Sequence, residues 1–582
     1  MSIASLRLHG PFFRLTFGDR SVNFNEAFEL AGVHIPYMIP LTPITEVKAA
    51  SGPSRQVKKL RVTLVRGPFV STARAASNEA TPALGPAYVA GYLRQFGYDD
   101  VTIVDAVGED LNSFWTLDAY PGLIIKGLTF SETINRIPAD SDVIGFSAMF
   151  SAEWPIQRAL ITATRERFPN ALFVAGGEHI TALPEYSLRE CPALNVCVRG
   201  EGEHPFYELV ESWSEHRDYT RVNGLAFVDA DGRFVINGNL PRVKDVNTIP
   251  WPYWPDGYLE KYWAAGKSYG VHSERDMPLM VSRGCPFQCT FCSSPAMWTT
   301  SYKLRDVDDV ITEIKYYQKK YDITAFQLYD LTAIVKKSWT VEFCRKLIDE
   351  GINLKWSLPS GTRSEALDKE TLEYLRRTGC NYLCYAPESG SPETLKRIKK
   401  KVNLPRMTES ILEARRLGIV LRANFIVGFP EETRRDMFQT FKYALMLAIR
   451  GVDEVSMNVY SPYPGSELFD DMVRAGKVTL NDAYLIRLMS NYTDYTKTDL
   501  ITFNAEMTAK QLAIMRSAFM LTAYGLGYLL YPSRIVRTIR NVFFGSQEAA
   551  TVFEHRFKDT LNRLKVLKRS PLKTITEPSV RR

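Results

Sequence analysis

Three of the chain's eight cysteines, Cys285, Cys289 and Cys292, lie together in the segment SRGCPFQCTFC. A closed structural zinc site needs four ligands, usually from pairs of cysteines two residues apart. Three thiolates instead suit an iron–sulfur cubane that holds three irons and leaves the fourth open to chelate a substrate. Gly284 and Pro286 within the loop weaken the alternative that structural cysteines are close by chance. We predict a [4Fe-4S] cluster here.

The elements around that loop repeat a strand–helix pattern. Six apolar strands alternate with helices from residue 278 onward, and we expect the clearest helices at 306–320, 338–349, 368–378 and 432–449. With right-handed crossovers, six such units curve into a partial barrel whose ligands lie at the carboxyl ends of the strands. Because the cysteines directly follow the first strand, we expect them at that mouth.

A second alternating region precedes the barrel. Its strands are apolar throughout, which implies a parallel sheet covered on both faces, a doubly wound (Rossmann-like) α/β domain. The expected strand ends are rich in glycine and small polar residues, which let a large ligand approach the backbone. No G-x-G-x-x-G follows the first strand, so a nucleotide-binding interpretation is weakened. The strand-end residues are Gly145, Ser147, Gly176, Gly177, His179, Gly200 and Gly202.

The α/β chain is therefore predicted to have five parts. They are an N-terminal extension (1–57), the doubly wound domain (58–230), a Pro- and Trp-rich linker that packs on its neighbours (231–274), a partial (β/α)6 barrel (275–480), and a mainly helical C-terminal region with a basic, disordered tail (481–582). Tyr460, Tyr463 and Asp330 fall at barrel strand ends and are candidate substrate contacts. Cys380 and Cys384 are expected to be buried structural thiols.

The segment RGCPFQCTFC resembles the motif of the radical S-adenosylmethionine (SAM) enzymes. In that family the open iron binds the amino and carboxylate groups of SAM, and one electron from the cluster yields a 5'-deoxyadenosyl radical. The resemblance implies that Phe291 flanks the adenine. It also places further residues beside the cofactor: Glu388 and Ser389 in APESGSPETLKRIKK, Gly428, Pro430 and Glu431 in the G-x-P-x-E-T turn of FIVGFPEET, and Ser360 and Arg363 in WSLPSGTRSEALD. Arg363 has the alternative of a surface or ion-pairing role.

The order of ALGPAYVAGYLRQFGY, GGEHITALPE and VRGEGE resembles the cobalamin-binding domain fused ahead of many radical SAM enzymes. The connector IPWPYWP resembles their linker, so the resemblance covers residues of about 60 to 480. It implies that the strand-end glycines, with Ser147 and His179, contact cobalamin. Val107 stands where the family's cobalt-ligating histidine would be. The lower cobalt face is then unligated by imidazole or covered by Met149, Phe150 or Glu153, with His179 as the rival ligand.

The resemblance implies a cobalamin-dependent radical SAM methyltransferase that abstracts hydrogen from an unactivated carbon and delivers methyl from methylcobalamin. An oxidative cyclase of the bacteriochlorophyll type needs the same cofactors and stays open. A non-catalytic cobalamin sensor would need no cysteine triad. A methylthiotransferase acting on RNA would need a basic RNA-binding module, which is not evident.

The composition limits the partners. The formal net charge of +7 is spread along 582 residues, so it does not argue for nucleic-acid binding. The start MSIASLRLHG lacks a signal-peptide pattern, and we expect a cytoplasmic protein. The basic segment after residue 515 is either a packed helix with a solvated tail or a peripheral contact with anionic lipid. We expect a small-molecule substrate, an apolar one such as a polyprenoid or tetrapyrrole if the lipid contact holds, and an electron donor such as flavodoxin or ferredoxin.

Overall fold

A computed structural model describes residues 14–17, 20–23, 59–72, 75, 80–240, 242–267, 271, 273–493, 500–544, 550–569 and 572–576. The chain divides into two compact units, Met1–Gln56 and Val57–Arg582. In the first unit, the strands Arg14–Phe17 and Arg20–Asn23 pair antiparallel. All other described residues belong to the second unit.

The N-terminal sheet has seven strands and confirms the doubly wound prediction. In spatial order they are Phe234–Ile236, Leu225–Val228, Val196–Val198, Leu172–Gly176, Val143–Ser147, Val62–Arg66 and Val101–Asp105. The last five run parallel, whereas the first two form an antiparallel edge that the expected parallel sheet did not include. The main helices around this sheet are Leu84–Gln95, Phe130–Arg136, Trp154–Arg167, Pro184–Glu190 and Glu203–His216.

The C-terminal sheet confirms the six expected strand–helix units. Its strands are all parallel and follow chain order: Asp276–Leu279, Ala325–Leu328, Lys355–Thr362, Cys380–Glu388, Val420–Val427 and Glu454–Val459. The helices between them are Val307–Tyr321, Lys337–Asp349, Lys369–Arg377, Pro392–Arg397, Leu404–Arg416 and Arg434–Ile449. Cys380 and Cys384 are buried, as expected.

Alternation along one strand shows how this sheet is packed. In Val420–Val427, the side chains of Leu421, Ala423 and Phe425 are fully buried in the core shared with the helices. The intervening Arg422 and Asn424 are half-buried. Successive side chains of a strand point to opposite faces, so one face of the sheet packs on helices and the other lines the inside of the partial barrel.

The linker packs between the two sheets, as its composition predicted. Trp254, Tyr258 and Tyr262 are buried in the barrel core. The hydroxyls of Tyr258 and Tyr262 each donate to Oδ2 of Asp105 at 2.6 Å, at the carboxyl end of the last N-terminal-sheet strand. The connector is therefore a structural joint and not a loose tether.

The C-terminal region is helical, but its tail differs from the prediction. The helices are Asp482–Thr493, Ala509–Leu530, Ser533–Ile539 and Val552–Arg569. Beyond them, Lys573–Ile575 forms a parallel strand beside Phe114–Leu117, in a small sheet completed by Leu123–Lys126 and Phe69–Thr72. The expectation of a disordered tail is wrong for Lys573–Ile575, because an edge strand of this small sheet pairs with it.

Candidate active site

The cysteine loop, residues 284–293, is fixed at its start and in its middle. Gly284 has a φ of 85°, and a side chain there would collide with the carbonyl oxygen of Ser301. In the middle of the loop, the Thr290 N–H donates to the carbonyl of Ile398 at 3.1 Å, and the Thr290 carbonyl accepts from the N–H of Leu468 at 3.0 Å. These partners follow the fourth and sixth barrel strands, so the loop spans the mouth.

The three thiols are free and half-buried. Burial raises the pKa of Cys292 to about 11 and also raises the pKa values of Cys285 and Cys289. The positive charges of Lys400 and Arg363 oppose that effect at Cys285 and Cys289. In the part of the chain that the structure describes, no three metal-ligating side chains form a preformed cage. Three thiols outside any disulfide, two of them near cations, nevertheless fit a three-cysteine cluster, because metal ligation requires thiolates.

Asp330 supports the strand that leads into this loop. It is buried, and its carboxylate accepts the N–H of Val281 at 3.1 Å and both the N–H and the hydroxyl of Ser282 at 2.5 Å. Burial raises its pKa to about 6. Since these bonds already occupy the carboxylate, the arrangement does not favour the predicted substrate contact and makes Asp330 a positioning residue.

Glu388 and Ser389 end the fourth barrel strand, and they point to different partners. Glu388 has a φ of 65° and accepts from Nζ of Lys400 at 3.1 Å in a buried ion pair. The hydroxyl of Ser389 lies 2.8 Å from that of Thr440 and accepts the N–H of Ser391 at 3.1 Å. Glu388 is therefore linked to the cysteine thiols through Lys400. Ser389 instead stabilises the turn that follows the strand. Sequence reasoning missed Lys400 because the run KRIKKK is typical of a solvated face.

Arg363 forms an ion pair and also packs against the cysteine loop. Its guanidinium lies 3.6 Å from the ring centre of Phe287, inside the cysteine loop, and its Nη2 is 2.9 Å from Oε1 of Glu365. The side chain is buried, and Ser360 on the same strand end is half-buried. The arginine thus packs a fixed positive charge against the loop.

The turn after the fifth barrel strand corrects one assignment. Gly428 has a φ of 83°, and Oε2 of Glu432 accepts its N–H at 2.6 Å and that of Phe429 at 3.3 Å. Glu432 is buried, which raises its pKa to about 7, whereas Glu431 is exposed. The assignment of Glu431 to the glutamate of G-x-P-x-E-T was wrong, since counting from Gly428 places that glutamate at Glu432.

A stack of aromatic rings lines the same side of the loop. The Phe291 ring centre lies 5.8 Å from that of Phe429, which in turn lies 4.9 Å from that of Tyr460. Tyr460 is buried with Leu395 and Phe429, an arrangement that does not favour its predicted contact with substrate. Phe291 is half-buried.

At the glycine-rich edge of the N-terminal sheet, two turns of the backbone approach each other closely. Gly177 has a φ of 118°, and a Cβ there would lie 2.6 Å from the carbonyl oxygen of Ala148. Gly200 has a φ of 72° and donates its N–H to the hydroxyl of Thr181 at 2.9 Å. Beyond the half-buried Ser147, Met149 and Phe150 are 41% and 51% exposed. Uncovered apolar side chains at such an edge fit a corrin ring.

Of the other three glycines, Gly145 lies in the middle of strand Val143–Ser147, where a Cβ would crowd Leu64 and Phe206, and the last two are less constrained. A Cβ on Gly176 would meet its nearest neighbour at 3.8 Å, and one on Gly202 at 3.6 Å, both ordinary contact distances. Gly202 is the residue before helix Glu203–His216. These two positions therefore do not need glycine for backbone reasons.

His179 is enclosed and does not face the open edge. Its Nδ1 lies 3.0 Å from the hydroxyl of Ser151 and its Nε2 lies 3.2 Å from that of Ser187, while its ring stacks on Trp154 at 4.7 Å. Burial lowers its pKa to about 3. Because both ring nitrogens already have partners, the geometry does not favour His179 as a cobalt ligand or a corrin contact. Burial also raises the pKa of Glu153, which follows the exposed Met149 and Phe150 in the chain, to about 7.

Two further contacts join the glycine-rich edge to the cysteine loop. The carboxylate of Glu178 accepts from the hydroxyl of Ser293, which follows the last loop cysteine. Glu203 forms a buried 2.6 Å ion pair with Arg283, which precedes the loop. Sequence reasoning missed all four residues, because nothing in the sequence pairs positions 80 or more apart.

Tyr463 makes a third link between the two regions. Its hydroxyl accepts the N–H of Ser151 at 2.9 Å, so this barrel residue contacts the loop that carries the exposed Met149 and Phe150. The side chain is half-buried. Of the three candidate substrate contacts, Tyr463 is the one placed between the cysteine loop and the glycine-rich edge.

Comparisons with known proteins agree with these two regions. The model of the Radical SAM superfamily matches residues 279–444, and that of the B12 binding domain matches residues 70–210. An uncharacterised methyltransferase of Pyrococcus horikoshii is 28% identical over 485 residues, which is 83% of this chain and 95% of that protein. The anaerobic magnesium-protoporphyrin IX monomethyl ester cyclase of Rubrivivax gelatinosus is 28% identical over 483 residues, 82% of this chain and 80% of that protein.

Solved structures share the fold. The cobalamin-dependent SAM radical enzyme OxsB, with aqua-cobalamin bound, has a TM-score of 0.60 at 16% identity and covers 88% of this chain and 80% of its own. The radical SAM methyltransferase TsrM from Kitasatospora setae, with cobalamin and a [4Fe-4S] cluster bound, has a TM-score of 0.59 at 14% identity, covering 88% of this chain and 100% of its own.

Proposed function

Since the chain belongs to the radical SAM enzymes that carry a B12-binding domain, we propose that it is a methyltransferase acting on an unactivated carbon of a small molecule. When bound, the [4Fe-4S] cluster and SAM supply hydrogen abstraction, and cobalamin supplies the methyl group. The chain's own residues must hold these groups, bring them near one substrate and keep water out.

The cluster and SAM would be held at the barrel mouth. We assign the cluster to Cys285, Cys289 and Cys292, and the nearby Lys400 and Arg363 favour the thiolates of Cys285 and Cys289. We assign the SAM pocket to the half-buried Ser360 and Phe291, the Glu388–Lys400 pair and the Gly428 turn.

Cobalamin would lie on the glycine-rich edge, with its lower face over Met149 and Phe150. The exposure of these two side chains and the enclosure of His179 support a lower face without imidazole. A cobalt without a strong lower ligand suits transfer to a carbon radical.

The observation that carries the proposal is the direct contact between the cysteine loop and the glycine-rich edge. The contacts are Glu178 with Ser293, Glu203 with Arg283, and Tyr463 with Ser151. A substrate near Tyr463 would therefore lie between the cluster with SAM on one side and cobalamin on the other. A methyl source beside a radical source is the arrangement that methylation of an unactivated carbon requires.

Oxidative cyclisation without methyl transfer is the second candidate. It is favoured by the Rubrivivax gelatinosus cyclase, which matches this chain at the same 28% identity as the Pyrococcus horikoshii methyltransferase. Both activities would use the same residues, so the chemistry of the products must separate them.

Product analysis tests the proposal. The anaerobically reconstituted protein would be incubated with reductant, SAM and extracts of apolar small molecules, and both SAM products would be quantified. Methylation predicts S-adenosylhomocysteine and 5'-deoxyadenosine in equal amounts. Deoxyadenosine alone, with a substrate that gains no methyl group, would contradict methylation and favour cyclisation.

A further inference from the structure

The C-terminal region presents an unusual run of exposed apolar side chains. The exposed stripe, as we define it, comprises Ile514, Leu521, Leu529, Val536, Phe543 and Phe544. Leu521 is 77% exposed and Phe544 82%. A group of large exposed apolar side chains in one segment points to a site that contacts a partner or a membrane.

Half of the stripe lies on one face of helix Ala509–Leu530, whose other face is fixed to the barrel, and the other half follows in the next two helical segments. In Ala509–Leu530, the exposed Ile514, Leu521 and Leu529 are spaced by seven and eight residues, which is the spacing of a single helix face. Leu512 and Phe519 on the other face are buried in the barrel core. Within the described residues, this is the one helix long and apolar enough to cross a membrane by length and composition. Because one face of this helix packs in the barrel core, the helix can lie along a membrane surface but cannot span the membrane.

The charges of this segment have one sign. No aspartate or glutamate occurs between Glu506 and Glu548, a stretch that contains Lys510, Arg516, Arg534, Arg537 and Arg540. Arg534 and Arg537 lie next to Asp453 on the barrel, whereas Lys510 and Arg540 are exposed near the two ends of the stripe. An apolar face with exposed cations at both ends is complementary to a surface of acyl chains and anionic headgroups.

We propose that the exposed stripe docks the protein on an anionic lipid bilayer, with helix Ala509–Leu530 roughly parallel to the membrane plane. The helix is roughly 33 Å long at 1.5 Å per residue, enough to anchor one side of the barrel. A second copy of the chain is the poorer occupant, because it would bring an identical cationic segment against this one. The proposal is independent of which reaction the protein catalyses.

Vesicle flotation of the full-length, anaerobically prepared protein tests this surface. We expect binding to vesicles of phosphatidylglycerol and phosphatidylcholine, weaker binding to phosphatidylcholine alone, and a decrease with salt because exposed cations contribute. The combined variant Leu521→Gln, Leu529→Gln and Phe544→Gln should bind anionic vesicles at least tenfold more weakly with an unchanged Tm, since these side chains lie outside the core.

The control is Ile236→Gln, an exposed apolar residue on the edge strand of the N-terminal sheet. It should bind like the unmodified protein. The proposal fails if the unmodified protein does not float with anionic vesicles, or if the triple variant and the control behave alike. It also fails if light scattering without lipid shows a dimer that the triple variant abolishes, because the stripe would then be an interface between copies.

Discussion

The cysteine loop and the glycine-rich edge both prepare a place for a large cofactor, but with different materials. The cysteine loop supplies reactive side chains, with three free thiols, two of which lie near the buried charges of Arg363 and Lys400. The glycine-rich edge supplies a surface, through a close backbone turn at Gly177 that admits no side chain and through exposed apolar residues. Covalent ligation needs particular atoms, whereas a ring system needs a surface. Loss of one region should therefore spare the cofactor of the other.

The largest expected effect is the loss of the cluster. Cys289→Ala removes one of three ligands, so we expect less than about a tenth of the iron of the unmodified protein and no 5'-deoxyadenosine. Iron and sulfide analysis and product chromatography measure this, and corrinoid content should be unchanged. Cys344→Ala, which alters a buried thiol of the barrel core, is the control and should retain the iron. Loss of corrinoid together with iron in Cys289→Ala would show that the two regions are not separable.

The converse change acts on the glycine-rich edge. Gly177 has φ 118° and ψ −176°, a conformation almost restricted to glycine, and a Cβ would press on the Ala148 carbonyl. Gly177→Ala should lower corrinoid retention at least tenfold while iron content stays the same. Gly176→Ala is the matched control, because its Cβ would meet nothing closer than 3.8 Å. Equal corrinoid retention in both variants would contradict the role of backbone space.

These two regions also differ in how far the sequence alone predicts them. The strand–helix repeat and the cysteine spacing are local patterns, and the helix expected at 306–320 is found at Val307–Tyr321. Position at a strand end could be predicted, but the direction of a side chain could not. Asp330 and His179 both sit at the expected edges, yet each is turned inward by partners that only the folded chain brings near.

Long-range pairing sets the second limit. Lys573–Ile575 is a strand because it pairs with the free edge of Phe114–Leu117, far away in the sequence, and three residues are too few to show a strand pattern. The Glu178–Ser293 and Glu203–Arg283 contacts likewise join distant positions. Links between the two regions are therefore the part of the site that sequence reasoning cannot supply.

A smaller effect is expected at the turn that supports the SAM side of the loop. Glu432→Ala removes the carboxylate that accepts the N–H groups of Gly428 and Phe429, at a cost of about 2 kcal/mol. We expect a roughly tenfold higher KM for SAM with unchanged iron and corrinoid. Glu431→Ala, next along the chain but exposed, should behave like the unmodified protein. If Glu431→Ala instead raised KM and Glu432→Ala did not, the corrected assignment would be refuted.

The smallest expected effect tests whether burial at the glycine-rich edge keeps the imidazole of His179 from being protonated. Burial lowers the pKa of His179 to about 3, against about 6.5 in an unfolded chain. Between these values the unfolded state binds the proton more strongly, so His179 makes stability fall as pH drops below about 6.5, by up to about 1.4 kcal/mol per pH unit. His179→Gln removes this term, so its Tm should fall less between pH 7 and pH 5 than that of the unmodified protein. Parallel Tm curves would mean that the imidazole is open to solvent in the folded protein, which would contradict its enclosure.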